Sequence, residues 1–182
     1  IMDEVIYPTV RGMAAEGHPY KGFLYAGLMI DGEGTPKVIE FNCRFGDPET
    51  QPIMLRMKSD LVELCGAAID GKLDQCRSDW DERASVGIVL AAGGYPGSYN
   101  KGDVISGLPE SETEGEKVFH AGTRLNGEQV ATNGGRVLCA TALGNTVTEA
   151  QKRAYEVAAR ISWDGAFYRK DIAYRAIARE NT

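Results

Sequence analysis

Glycine and proline most constrain what this chain can become. Its 22 glycines and seven prolines are scattered along 182 residues and cut it into short strands and helices joined by turns. They gather into no low-complexity tract, so collagen and disordered linkers are excluded. No apolar run reaches the roughly 18 residues of a membrane helix, and no basic-then-apolar leader opens the chain, so no membrane partner is expected. Twenty Lys and Arg against 26 Asp and Glu give a net charge of -6, which argues against a nucleic-acid partner. With 43% hydrophobic residues the chain has material for a real core, in one ordinary domain or two small ones. Cys43, Cys65, Cys76 and Cys139 form no CxxC pair, and His18 and His120 lie far apart. Neither a zinc site nor a Cys–His nucleophile is expected, and the cysteines read as buried thiols of a reducing cytoplasm.

The chain opens on Val5, Ile6, Val10 and Met13, apolar positions at helical spacing that Pro8 would kink. Opening in mid-pattern, it reads as cut from something longer. Gly22 to Ile30 (GFLYAGLMI) predicts a well-buried strand, Asp31-Gly32-Glu33-Gly34 a turn, and Lys37 to Phe45 a second strand, together a hairpin. Pro52 sits near a helix start. A further helix takes Ser59 as N-cap and Asp60 in its first turn, buries Leu61, Leu64, Cys65, Ala68 and Ile69, and stops at Gly71. The polar stretch 72–83 is the natural linker, dividing a segment 1–71 from a segment 84–182. Beyond it Ala84 to Ala92 predicts a strand ending in the loop Gly93-Gly94-Tyr95-Pro96-Gly97. That loop lacks the GxGxxG spacing of a dinucleotide site. Lys117 to Leu125 and Arg136 to Leu143 are further strands, with Asn126-Gly127 and Asn133-Gly134-Gly135 as turns. Thr146-Val147-Thr148-Glu149 is a capping box, followed by the stripe Val147, Ala150, Ala154, Val157, Ala158 and Ile161. A last helix is predicted from Asp171 to Arg179. The second half therefore reads as α+β, antiparallel strands with helices on one face.

Most of the chemistry lies in Val38-Ile39-Glu40-Phe41-Asn42-Cys43-Arg44-Phe45-Gly46-Asp47-Pro48-Glu49. On a strand, Glu40, Asn42 and Arg44 share one face while Ile39, Phe41, Cys43 and Phe45 share the other, which buries. A carboxylate and an amide oxygen about 7 Å apart along a strand are hard ligands able to hold Mg²⁺ together with a substrate's phosphates. Arg44 beside them can take a phosphate oxygen pair in its planar fork. Asp47 and Glu49 stand on the turn leaving the strand, facing a cationic or hydroxylated substrate group. The same pattern also describes a half-solvated strand with a surface Glu–Arg pair, so pattern alone leaves both readings open.

EFNCRFGDPETQ, with GFLYAGLMI before it and ASVGIVLAAGGYPG and TNGGRVL after it, closely resembles the glycinamide ribonucleotide synthetase family of ATP-grasp ligases, over the whole chain. The resemblance implies an α+β fold, the second half of an ATP-grasp core (an antiparallel sheet with helices) followed by a small α+β C-terminal domain. It implies Glu40 and Asn42 as Mg²⁺ or Mn²⁺ ligands, Arg44 as a contact to the phosphates of ATP, and Arg44, Asp47 and Glu49 as catalytic residues. The implied reaction is ATP-driven amide formation in the cytoplasm: glycine becomes glycyl phosphate, and the amine of 5-phosphoribosylamine displaces phosphate to leave glycinamide ribonucleotide. The N-terminal domain and glycine-rich lid that precede this region in the family are absent from this sequence. The chain is therefore expected to be a C-terminal portion, inactive alone, whose partner is the missing N-terminal portion. Many ATP-grasp enzymes carry another acidic ligand on the preceding strand, but GFLYAGLMI offers no carboxylate before Asp31.

Weaker signals complete the reading. Gly134, Gly135 and Arg136 form a turn able to offer amides and a guanidinium to an anion, or simply a hairpin turn with a surface arginine. His120 reads as a structural histidine, and Trp80, Tyr155, Trp163 and Tyr174 as packing residues. Two other functions compete: a non-catalytic module that binds a nucleotide or a partner, and a metal-dependent hydrolase built on Glu40, Asp47 and Glu49. Arg44 among those carboxylates suits phosphate binding better than water activation.

Overall fold

The computed structural model describes residues 1–111 and 113–180. In chain order its elements are α1 (Tyr7–Ala15), β1 (Tyr25–Ile30), β2 (Pro36–Asn42), α2 (Thr50–Arg56), α3 (Leu61–Asp70), β3 (Ala84–Ala91), β4 (Glu116–His120), β5 (Thr123–Asn126), β6 (Gln129–Thr132), β7 (Arg136–Gly144), α4 (Val147–Arg160) and α5 (Tyr174–Glu180). The fold is α+β, and every strand pair runs antiparallel. Two compact units divide the chain: Ile1–Asp47 with Ser59–Asp79, and Pro48–Lys58 with the chain from Trp80 onward. No helix among the described residues is long and apolar enough to cross a membrane.

In the first unit β1 and β2 form the hairpin read from sequence, with Tyr25 opposite Asn42 and Gly27 opposite Glu40. Its turn is closed by Asp31, whose Oδ1 accepts from the amides of Glu33 at 3.0 Å and Thr35 at 2.9 Å. The prediction of a well-buried strand fails here. Met29 is 60% exposed and Ile39 65%, because the sheet has two strands and nothing described in this unit covers that apolar face. Pro8 falls where the opening helix changes type: a π-helical turn over Met2–Ile6 runs directly into α1, and Pro8 stands in the first turn of α1. The N-cap of α3 is Asp60, not Ser59. Asp60 Oδ1 accepts from the amides of Val62 at 2.7 Å and Glu63 at 3.3 Å, and Gly71 ends the helix in the left-handed region at φ 70°.

In the second unit β7 is the centre of a three-stranded sheet, flanked by β3 and β4. Val86, Ile88 and Leu90 of β3 and Leu138, Ala140 and Ala142 of β7 point to one face. There they meet Ala150, Ala154, Val157 and Ala158 of α4, the stripe predicted from its period. Full burial of Ile88, Leu90 and Leu138 is worth roughly 1.5–3 kcal/mol apiece. Helices cover both faces, contrary to the expectation of one. Gly87 points the other way, and a Cβ on it would stand 3.0 Å from Pro52 Cγ of α2 and 2.9 Å from Cys139 Sγ. Cys139 is the one buried cysteine; Cys43 and Cys76 are exposed, so the reading of four buried thiols is corrected.

The run Lys117–Leu125 is not one strand. It breaks at Ala121-Gly122 into β4 and β5, which belong to different sheets, and β5 pairs with β6, an element the sequence did not announce. The C-terminal helix closes on α4: Glu180 Oε1 accepts from Val147 N at 2.5 Å, and Oε2 accepts from Thr148 N and Oγ1 at 3.2 Å each. These bonds to the helix amides hold the Glu180 carboxyl below its ordinary pKa.

Candidate active site

In the first unit the period of β2 brings Glu40 and Asn42 to one side of the hairpin. Opposite Glu40 stands Gly27, and a Cβ there would lie 3.2 Å from Glu40 Cγ. The missing side chain at 27 is thus the cradle in which the Glu40 stem lies, with the Tyr25 ring beside it. β2 ends at Asn42, short of the Phe45 expected from sequence, so Arg44 is carried by the loop. Its guanidinium nevertheless reaches back: Nη2 donates to Asn42 Oδ1 at 3.4 Å and Nη1 to the Phe45 carbonyl at 2.7 Å. The Phe45 ring is fixed by Phe23, with centroids 3.9 Å apart. Close by, burial and the Cys43 thiol raise the pKa of Tyr20, whose hydroxyl donates to the Phe23 carbonyl at 2.7 Å.

Glu40, Asn42, Arg44 and the exposed Asp47 therefore belong to one unit. The carboxylate and amide oxygens of the first two are hard donors of the kind a divalent cation takes, and the guanidinium at Asn42 is of the kind that takes phosphate oxygens. Among the described residues no group of three or more His, Cys, Asp or Glu gathers, so this pair carries one carboxylate. Glu49 belongs to the second unit, at the residue preceding α2, where its side chain makes no cap bond.

Gly134, Gly135 and Arg136 lie in the second unit at the entrance to β7. Gly122 packs on Gly134 so closely that a Cβ at 134 would stand 2.9 Å from Gly122 Cα. The Gly122 amide donates to the Arg136 carbonyl at 3.0 Å, and Ala92 N donates to the Gly135 carbonyl at 2.8 Å. Arg136 is half-buried. His120 at the end of β4 is exposed and pairs its Nδ1 with Thr123 Oγ1 at 3.1 Å. Gly27 and Gly122, which shape these two places, were missed in the sequence; an isolated glycine within a strand pattern was the available signal.

Two family models match the chain: the ATP-grasp (A) domain of phosphoribosylglycinamide synthetase over residues 1–50, and its C domain over residues 85–175, half of the chain. The chain belongs to the phosphoribosylglycinamide synthetase family. It is 78% identical over 180 residues to a phosphoribosylamine–glycine ligase of Vibrio vulnificus strain YJ016, covering 99% of this chain and 42% of that protein. To the protein of that name from Escherichia coli K12 it is 72% identical over 180 residues, covering 98% of this chain and again 42% of that protein. The chain thus spans about two fifths of the length of the relatives it matches. The crystal structure of phosphoribosylamine–glycine ligase from Thermotoga maritima matches 93% of the chain and 41% of its own, with 36% identity and a TM-score of 0.80. The biotin carboxylase subunit of a pyruvate carboxylase shares the fold at 17% identity and a TM-score of 0.59, over 91% of this chain and 39% of that one.

Proposed function

We propose that this chain is the C-terminal portion of a cytoplasmic ligase that joins glycine to 5-phosphoribosylamine at the expense of ATP. In this reading 1–71 completes an ATP-grasp domain, 72–83 is a linker and 84–182 is the C-terminal domain. The observation that carries it is the row Glu40, Asn42 and Arg44, with Glu40 seated over Gly27 and the Arg44 guanidinium 3.4 Å from Asn42 Oδ1. Glu40 and Asn42 would hold Mg²⁺ or Mn²⁺, which when bound supplies charge neutralisation between phosphate oxygens. Arg44 donates to a phosphate oxygen and stabilises charge as the γ-phosphoryl group passes to the glycine carboxylate. Asp47 and Glu49 orient the amine or the hydroxyls of the substrates, and Gly134, Gly135 and Arg136 meet an anionic group. The phosphoribosylamine nitrogen then attacks glycyl phosphate, a C–N bond forms, and inorganic phosphate leaves.

The test uses the full-length enzyme. Glu40→Gln and Asn42→Ala should each lower glycine-dependent ADP release at least tenfold and shift the magnesium titration upward. Arg44→Lys should lose activity as well, since an ammonium cannot reproduce a planar fork. Wild-type magnesium dependence in both metal-face variants would overturn the assignment. The 182-residue chain alone should release no ADP on addition of both substrates; robust turnover by it would favour a complete enzyme over a portion of one. The second reading, a non-catalytic binding module, predicts instead that none of these variants changes turnover.

A further inference from the structure

The motif Gly93-Gly94-Tyr95-Pro96-Gly97 has no role in the function proposed above, yet it is built into the end of the sheet. The chain leaves β3 and turns at once, Tyr95 N donating to the Ala92 carbonyl at 3.1 Å, with Gly94 at φ 93°. The turn sets the Tyr95 ring against Gly135: a Cβ at 135 would fall 2.1 Å from Tyr95 Cδ2, 2.5 Å from Cε2 and 3.0 Å from Cγ. Gly135 is not among the glycines with positive φ, so its backbone would accept a side chain. The three nearest atoms such a side chain would meet all belong to the Tyr95 ring. On its other flank the same turn is stopped by Gly122 against Gly134, and Tyr99 braces the ring of Tyr95 edge-on, 6.1 Å away and inclined by 62°. The two backbone amides at 134 and 135 and the Arg136 that follows are therefore held in a slot with no room for a methyl group on either side.

We infer that Tyr95 is a positioning residue, whose ring fixes the Gly134–Arg136 turn and so aims the Arg136 guanidinium at an anionic substrate group; this rests on the proposed role of Arg136. The ring makes the contact, and the hydroxyl makes no hydrogen bond among the described residues. Phenylalanine should therefore serve and alanine should not.

The experiment has two readouts. In the full-length enzyme, Tyr95→Ala should raise the KM of one anionic substrate about tenfold with kcat within threefold, while Tyr95→Phe stays within twofold of wild type. In this chain, amide hydrogen exchange at Gly134 and Gly135 should speed at least tenfold in Tyr95→Ala and not in Tyr95→Phe. Gly135→Ala, which pushes a methyl into the ring, should raise the same KM. The double variant Tyr95→Ala, Gly135→Ala should be no worse than Tyr95→Ala, because the space is vacated. Additive losses, or a Tyr95→Phe enzyme as impaired as Tyr95→Ala, would overturn the inference. Arg136→Gln run alongside separates the two layers: unchanged KM for every substrate removes the role of Arg136, while exchange at the turn still decides whether Tyr95 fixes it. If Tyr95→Ala does not fold, the Gly135→Ala and Tyr95→Phe pair decides.

Discussion

Gly87 sets how closely α2 approaches the sheet. A methyl there would stand 2.9 Å from Cys139 Sγ and 3.0 Å from the Pro52 ring, both inside a packed layer. Gly87→Ala should therefore cost about 1–3 kcal/mol by overpacking, read from urea unfolding. Adding Cys139→Ala should return part of the loss, since the two sites share one space. A second single-residue effect is electrostatic. Asp81 Oδ1 accepts from Arg83 Nε at 2.9 Å, Oδ2 accepts from Arg83 Nη2 at 2.8 Å, and Oδ1 also takes the Arg83 amide at 3.0 Å. The Arg83 side chain first, then its amide, hold the Asp81 carboxyl well below the usual carboxylate range. A depressed folded pKa contributes stability above the unfolded value, about 4, and loses it as pH falls toward the folded one. Thermal melts from pH 7 to pH 2 should show Asp81→Asn less stable at pH 7, with the gap to wild type constant down to about pH 4 and narrowing below it. Parallel curves would remove Asp81 from the acid response.

At the scale of elements, Ser59 and Asp60 offer a direct contrast. Asp60→Ala should cost about 1 kcal/mol and fray α3, as loss of an N-cap does. Ser59→Ala should leave α3 intact and loosen the segment around Asp79 instead, where Ser59 Oγ accepts from the Asp79 amide at 2.7 Å. Circular dichroism with hydrogen exchange separates the two outcomes. Both side chains cap well, so local sequence could not choose between adjacent positions; a partner 20 residues away chose. The same limit explains the break in Lys117–Leu125. Its strand pattern is continuous, and the break comes from Gly134 packed on Gly122, which no local period encodes. By contrast β3, β7 and α4 were legible because burial wrote its period into Val86, Ile88 and Leu90, and into Ala150, Ala154 and Ala158. That Glu40 and Asn42 share one strand face was legible from their spacing of two, with no help from burial. Gly27 and Tyr95 were not, since each acts on a residue brought to it by the fold.

At the scale of the whole molecule, the two units should differ in how readily they open. β7 is paired on both edges and sealed by helices on both faces, whereas among the described residues β1 and β2 pair only with each other. A two-stranded sheet is marginal in water. Native-state hydrogen exchange should therefore find β3 and β7 protected up to global unfolding and β1–β2 exchanging through local opening. Equal protection in the two sheets would contradict this. The bonds from Glu180 to Val147 and Thr148 join the last described turn of the chain to the first turn of α4, 33 and 32 residues upstream. Trimming a few C-terminal residues is thus no neutral edit. Removing Glu180 strips a carboxylate from the start of the helix that seals the core, so Glu180→Gln should lower the melting temperature although no buried residue is touched. A purification tag is safer attached elsewhere.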